Sequence, residues 1–214
     1  MELLQQIAEF LQKGDDKRVL ELTRQAIDRN ISAQDILDRG LIAGMNVIGE
    51  LFKQQKIFIP EVLYAARAMN AGMDQLKPLL IKEDVKPLAK IVLGTIEGDL
   101  HDIGKNLVGI MLKGAGFQVI DLGKDVSANR FVEVAVSEQA EIIGMSALLT
   151  TTMLNMKKVT TLLRERSLDS IKTIVGGAPL SEEMAREFGA DAYAYDAANA
   201  VERVKTLISR SQSG

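Results

Sequence analysis

The apolar positions of this chain change their period near residue 90. Before it they recur at helical spacing: Leu3, Leu4, Ile7, Phe10 and Leu11 form one stripe, and Val19, Leu20, Leu22, Ala26 and Ile27 a second. Lys13-Gly14-Asp15-Asp16 predicts the end of the first helix and the cap of the next, and Asn30 closes the second. Ser32-Ala33-Gln34-Asp35 is a near capping box, with Asp where Glu or Gln is usual. It opens a third helix running from Ile36-Leu37 through Leu41, Ile42, Met45 and Ile48 to Leu51-Phe52. Pro60 suits the first turn of a fourth helix, where its missing N–H costs nothing. Val62, Leu63, Ala66, Met69, Met73 and Leu76 continue that helix. Short joints between such helices predict a small antiparallel four-helix bundle.

After Lys90 short apolar runs at 91–96, 117–122, 142–149, 171–175 and, weakly, 192–194 alternate with helix-like stretches near 103–115, 128–138, 152–166, 181–188 and 197–209. Runs apolar on both faces belong to parallel strands covered by helices. The prediction is an α/β domain, a doubly wound five-stranded parallel sheet whose ligands bind outside the carboxyl ends of the strands. The stretch 81–90 is charged, contains Pro87 and reads as a linker. The domains are placed at 1–84 and 91–214, with 85–90 as the linker between them.

Composition narrows the chemistry. The 214 residues are 47% apolar and 26% charged, with net charge −3 and no cysteine or tryptophan. Interleaved charge gives no basic stripe for nucleic acid. No apolar stretch reaches the roughly 18 residues of a membrane span. Met1-Glu2-Leu3-Leu4 opens an amphipathic helix, not a secretory signal, so a cytoplasmic protein is expected. Without cysteine there is no disulfide framework, thiolate metal site or cysteine nucleophile.

One histidine remains, His101, inside Gly98-Asp99-Leu100-His101-Asp102-Ile103-Gly104 at the carboxyl end of the first strand. Imidazole is the commonest metal ligand, and a carboxylate usually orients its second nitrogen; Asp99 is such a carboxylate. The same loop lacks the Gly-x-Gly-x-x-Gly of a dinucleotide site and the Gly-Lys-Ser/Thr of a phosphate loop. It has the form Asp-x-His-x-x-Gly. After forty-one residues comes Ser-x-Leu (Ser146, Leu148), and after twenty-seven more Gly176-Gly177.

In order and spacing this signature resembles the cobalamin-binding domain of cobalamin-dependent methionine synthase, the mutases and the corrinoid methyltransferase proteins. The resemblance implies a Rossmann-like (flavodoxin-like) sheet holding cobalamin with its dimethylbenzimidazole tail detached and buried, and His101 as the lower cobalt ligand. It implies that Asp99 accepts a hydrogen bond from His101 and that Thr152 supports Asp99, a threonine where serine is more familiar. Gly98, Asp102, Ile103 and Gly104 complete the cofactor loop. Ser146 is implied to bond the benzimidazole, with Met145 and Leu148 beside the ring and Thr150 near the tail. Ala197, and more weakly Asp196, match positions at the nucleotide end, and Gly104, Gly176 and Gly177 let backbone approach the tail. The residues alone also allow plainer roles: Gly176-Gly177 as a turn, Ser146 and Thr150 to Thr152 as caps of the next helix, and Asp102 as the cap of the helix from Ile103.

The resemblance extends over about residues 1–210. Gly44-Met45-Asn46-Val47-Ile48-Gly49-Glu50-Leu51-Phe52 and Lys56-Ile57-Phe58-Ile59-Pro60-Glu61 resemble the helical cap of methionine synthase and of the methylamine, methanol and aryl methyl ether corrinoid proteins. Phe52 and Ile59 match residues that cover the upper corrin face and Asp38 a polar cap residue, whereas periodicity alone makes Phe52 and Ile59 ordinary core. The implied function is methyl carriage between a substrate-specific methyltransferase and a second one acting on a thiol or folate, with a reductive activator as further partner. His101 ligates and releases cobalt in each cycle, and Asp99 holds the accompanying proton. No barrel follows the linker, so the chain reads as a carrying subunit and not a complete enzyme. The alternatives are a cobalamin sensor, which usually adds a DNA-binding segment or a cap tryptophan, and a storage protein.

Overall fold

The computed structural model describes residues 2–211. It divides into two compact units, residues 2–87 with Lys113–Gly116, and Leu88–Leu112 with residues 117–211.

In the helical unit, α1 (Glu2–Gln12) and α2 (Asp16–Asp28) bury most of the two predicted stripes, with Ile7, Leu11, Val19 and Ala26 fully enclosed and Phe10, Leu20 and Ile27 half-buried. Asp15 caps α2 by accepting the Arg18 N–H at 3.0 Å. Asn30, at φ 56°, ends it in the left-handed conformation, and the Ile31 N–H returns to the Ala26 carbonyl at 3.1 Å. Ser32 caps the third helix through the Asp35 N–H at 3.1 Å, while the Asp35 carboxylate accepts the Ser32 hydroxyl at 2.9 Å. That helix is three pieces in one run: α3 (Ala33–Asp35), a π-helical stretch Ile36–Ile42 and α4 (Ala43–Lys53). The π stretch follows from the apolar pattern, because the buried Ile36 and Leu41 are five residues apart and a strict α-helix would turn them to different faces.

The last helix, α5 (Ile59–Lys82), runs six residues past Leu76 and through the exposed Pro78. Ile81 and Lys82 are therefore helix and not linker. The end is pinned where Glu83 accepts the Ala33 N–H at 3.1 Å.

The second unit is a five-stranded, all-parallel sheet in the order β2-β1-β3-β4-β5, from β1 (Lys90–Thr95), β2 (Gln118–Asp121), β3 (Ile142–Ser146), β4 (Lys172–Gly176) and β5 (Ala192–Ala194). Lys90, counted in the linker on sequence, pairs with Gln118 as the first residue of β1. The chain winds from β1 outward to β2, then crosses to β3 on the other side, so the switch point lies between β1 and β3. On one face Val92, Ile143 and Val175 share a core with α7 (Ala128–Ser137), which contributes Phe131, and α8 (Met156–Glu165). Gly109 of α6 (Ile103–Gly114) lets that helix sit against Leu93 on β1: a Cβ there would meet Leu93 Cδ2 at 3.2 Å. The remaining helices are α9 (Glu182–Glu187) and α10 (Ala197–Ser211).

The apolar run 142–149 is strand only as far as Ser146. Leu148 and Leu149 leave the sheet because their N–H groups turn to the Asp99 carboxylate, at 2.8 and 3.2 Å. The helix expected from 152 begins as a single 3-10 turn, Met153–Asn155.

Candidate functional site at the strand switch point

The loop after β1 meets the loop after β3, and Asp99 is the joint. Its carboxylate is fully buried. Oδ2 accepts the Leu148 and Leu149 N–H groups and the Thr152 hydroxyl, the last at 2.8 Å. Oδ1 accepts the His101 N–H at 3.0 Å and faces His101 Nδ1 at 2.7 Å. Burial by itself would raise the pKa of this carboxyl, but the donors from His101, Leu148 and Thr152 outweigh it and hold the group well below the usual carboxylate range. An ionised Asp99 accepts from Nδ1–H, which leaves Nε2 as the nitrogen with a free lone pair. The imidazole is half exposed, its side chain at 51% relative accessibility. Thr95 adds a second hold, with its hydroxyl 3.1 Å from the His101 carbonyl and 3.1 Å from Ser146 Oγ.

Thr152 does not cap the following helix through its side chain. Its hydroxyl is committed to Asp99, with the Leu149 carbonyl as a second neighbour at 3.0 Å. Thr152→Val should destabilise the protein by about 1.5–3 kcal/mol, the worth of a hydrogen bond to a buried charge, and Thr152→Ser should be nearly neutral. Urea unfolding of the two variants checks this.

The glycines separate by what needs them. Gly177 sits at φ +137°, and a Cβ there would lie 1.8 Å from the Ala147 carbonyl oxygen; one on Gly176 would lie 2.9 Å from the Ala194 carbonyl oxygen. The turn itself thus demands both. Gly104, in the first turn of α6, has nothing within 4 Å of its Cβ position. Gly104→Ala should leave the cofactor-free fold intact or stabilise it by up to about 1 kcal/mol, as Gly-to-Ala changes in helices do. The same change should weaken retention of the cofactor, measured as pigment remaining after desalting.

Leu100, Leu148 and Leu149 on these loops, and Ile103 at the start of α6, are exposed apolar side chains. Thr150 is exposed, whereas Met145 belongs to the buried core and Ala197 is buried at the start of α10. The Asp102 carbonyl accepts the Asn106 N–H at 2.8 Å, starting the helix. In the helical unit Phe52 is half-buried, Asp38 is exposed and accepts from Gln34, and Ile59 is 43% exposed, so Ile59 is not bundle core. The sequence reading missed two supports of the His101 loop. Asp125 accepts the Gly98 N–H at 2.7 Å and Asn155 donates to the Glu97 carbonyl at 2.9 Å. It also missed the buried Lys105, whose ammonium spans both Asp121 oxygens at 2.6 and 2.7 Å.

Among the described residues no three His, Asp or Glu side chains gather to hold a metal ion. A single oriented imidazole therefore suits a metal that brings its own equatorial donors, as the cobalt of a corrin ring does, and exposed leucines suit the apolar body of such a ring. The described residues include no helix long and apolar enough to cross a membrane.

Comparisons agree with that chemistry. Two B12 binding domain models match the chain, one over residues 89–205 and one over residues 3–77. A corrinoid protein of Desulfitobacterium hafniense (strain Y51) is 42% identical over 214 residues, 98% of this chain and 99% of the relative. Trimethylamine corrinoid protein 1 of Methanosarcina acetivorans is 40% identical over 210 residues, 97% of each chain. Among solved structures, the methanol:cobalamin methyltransferase complex MtaBC of Methanosarcina barkeri superposes with a TM-score of 0.87 at 32% identity, covering 97% of this chain and 80% of that one. Matched along nearly its whole length, the chain belongs to the B12-binding corrinoid proteins of methyltransferase systems, and its cofactor is cobalamin.

Proposed function

We propose that the chain is a corrinoid methyl carrier that binds cobalamin through His101 Nε2, with the cofactor's own benzimidazole displaced. The observation that carries this reading is the 2.7 Å pairing of His101 Nδ1 with a buried carboxylate. Bound cobalamin supplies a cobalt that accepts a methyl group and gives it up. The chain's residues do the rest. Asp99 fixes the tautomer and orientation of His101 by accepting a hydrogen bond from Nδ1–H, Thr152 holds Asp99, and Ser146 and the Gly176-Gly177 turn receive the displaced tail. Phe52, Ile59 and Asp38 are assigned to covering the cofactor. The relatives named above support a substrate-specific methyltransferase as donor partner; a second methyltransferase, on a thiol or folate, and a reductive activator complete the system.

The test is to load the protein with methylcobalamin, desalt it, and present it to a methylamine or methanol methyltransferase and a thiol acceptor. Retained pigment and catalytic methyl passage are expected. Retained pigment with no passage to or from any methyltransferase would instead mark a sensor or store.

Asp99→Asn should weaken His101 ligation by about 10–100-fold, as loss of a ligand's hydrogen-bond partner does. It should also alter acid stability. A carboxyl whose folded pKa is depressed stabilises the fold fully above its unfolded value, about 3.9, and loses that contribution as pH falls towards the folded value. The stability gap between wild type and Asp99→Asn should therefore be widest at neutral pH and shrink below about pH 4. Urea midpoints of cofactor-free protein across that range measure it.

A further inference from the structure

The β3 side holds the Asp99 carboxylate; the β2 side holds its backbone. In the loop between β2 and α7, the Asp125 carboxylate accepts the Gly98 N–H at 2.7 Å, and the Asp125 N–H donates to the Asp99 carbonyl at 3.1 Å. Asp125 thus brackets the Gly98-Asp99 segment, holding the peptide unit before Gly98 and the one after Asp99, the residue that orients His101. It does so at φ 57°, in the left-handed region that aspartate tolerates better than most side chains. Gly98, at φ +83°, is the permissive pivot of the His101 loop, and the carboxylate of Asp125 sits on its N–H.

The bracing loop is itself anchored. The Gly123 carbonyl accepts the Thr95 N–H at 2.9 Å, and the Val126 N–H donates to the Thr95 carbonyl at 3.0 Å. Asp121 accepts the Gly123 N–H at 2.8 Å while it holds the buried Lys105. A charged acceptor on a neutral N–H is about twice as strong as a neutral one, so the link survives on an exposed side chain.

We propose that Asp125 is a positioning residue for the cobalt ligand: it locks the Gly98–Asp99 backbone from the β2 side and so fixes where the His101 ring stands. The inference rests on His101 being that ligand. It predicts a graded series. Asp125→Gly removes the carboxylate but tolerates the positive φ, and Asp125→Asn keeps a weaker, uncharged acceptor.

Wild type, both variants and His101→Ala are loaded with methylcobalamin and desalted, and their absorbance is compared, with wild type and His101→Ala marking the ligated and unligated limits. The ratio of ligated to unligated cofactor should fall roughly 3–10-fold in Asp125→Gly, less than loss of a direct partner causes. It should fall roughly 2-fold in Asp125→Asn, where the acceptor loses its charge. In cofactor-free protein, amide exchange at Gly98 should accelerate in the same order. If His101→Ala differs from wild type while Asp125→Gly matches wild type, the inference is wrong and the ligand assignment stands. If His101→Ala and wild type coincide, the ligand assignment fails and takes this inference with it. Should Asp125→Gly not fold, Asp125→Asn decides, and a wild-type ratio in that variant overturns the role.

Discussion

His101→Ala is expected to abolish protein ligation of the cobalt while leaving the fold nearly untouched. The ring is half exposed and contributes one of the hydrogen bonds on Asp99; the His101, Leu148 and Leu149 N–H groups and the Thr152 hydroxyl remain. The fold should lose no more than about 1.5 kcal/mol, the lower end for a hydrogen bond to a charged group, because water can take the place of the half-exposed ring. The cofactor should behave very differently. Methylcobalamin bound by the variant should show the absorbance of a corrinoid without an imidazole beneath it, and methyl passage should slow by more than about 100-fold, beyond the loss of a ligand's supporting partner. Free imidazole added to the variant should restore part of the ligated spectrum. An unchanged spectrum in His101→Ala would remove the basis of the proposed mechanism.

Gly177→Ala should have the largest effect on the fold. At φ +137° an alanine is strained by roughly 1–3 kcal/mol before any contact is counted. Its Cβ would then stand 1.8 Å from the Ala147 carbonyl oxygen, which is backbone and cannot swing away. The turn has little freedom to adjust, because the Ala147 N–H donates to the Gly176 carbonyl at 3.2 Å and the Leu180 N–H to the Gly177 carbonyl at 3.1 Å. The exits of β3 and β4 must part. We expect a loss above about 3 kcal/mol, a large share of the roughly 5–15 kcal/mol that holds a domain together. Ala147 immediately precedes the Leu148 and Leu149 N–H groups on Asp99, so cofactor retention should fall together with stability. A lowered urea midpoint with pigment lost on desalting checks both. A midpoint within about 0.5 kcal/mol of wild type, the range of ordinary surface changes, would show that the turn can relax.

What the sequence made legible followed from how local each signal is. The Asp99 and His101 pair is spelled two residues apart, and the structure brings Thr152 onto the same carboxylate. β1, β3 and β4 were visible because both faces of each are covered, the edge strands β2 and β5 are only partly buried and gave weaker signals, and only the strand ends moved. Leu148 was singled out as a side chain, yet its N–H makes the contact with Asp99. The motif records the position and says nothing of which atom is used. Asp125 left no trace, since a carboxylate reaching the N–H of a glycine in another loop obeys no period. The π-helical stretch did leave one, the five-residue step from Ile36 to Leu41, which a reading tuned to threes and fours passes over. The end of α5 was placed too early because the charged stretch from 81 reads as linker, whereas Ile81 and Lys82 close the helix.

The hydroxyl that steadies Asp99 lies 53 residues downstream of it. At the roughly 5–20 residues per second of synthesis, His101 leaves the ribosome several seconds before Thr152 does. In that interval the nascent segment carries a bare imidazole with nothing to aim it. Cofactor capture in the proposed geometry therefore waits until β3 has docked beside β1.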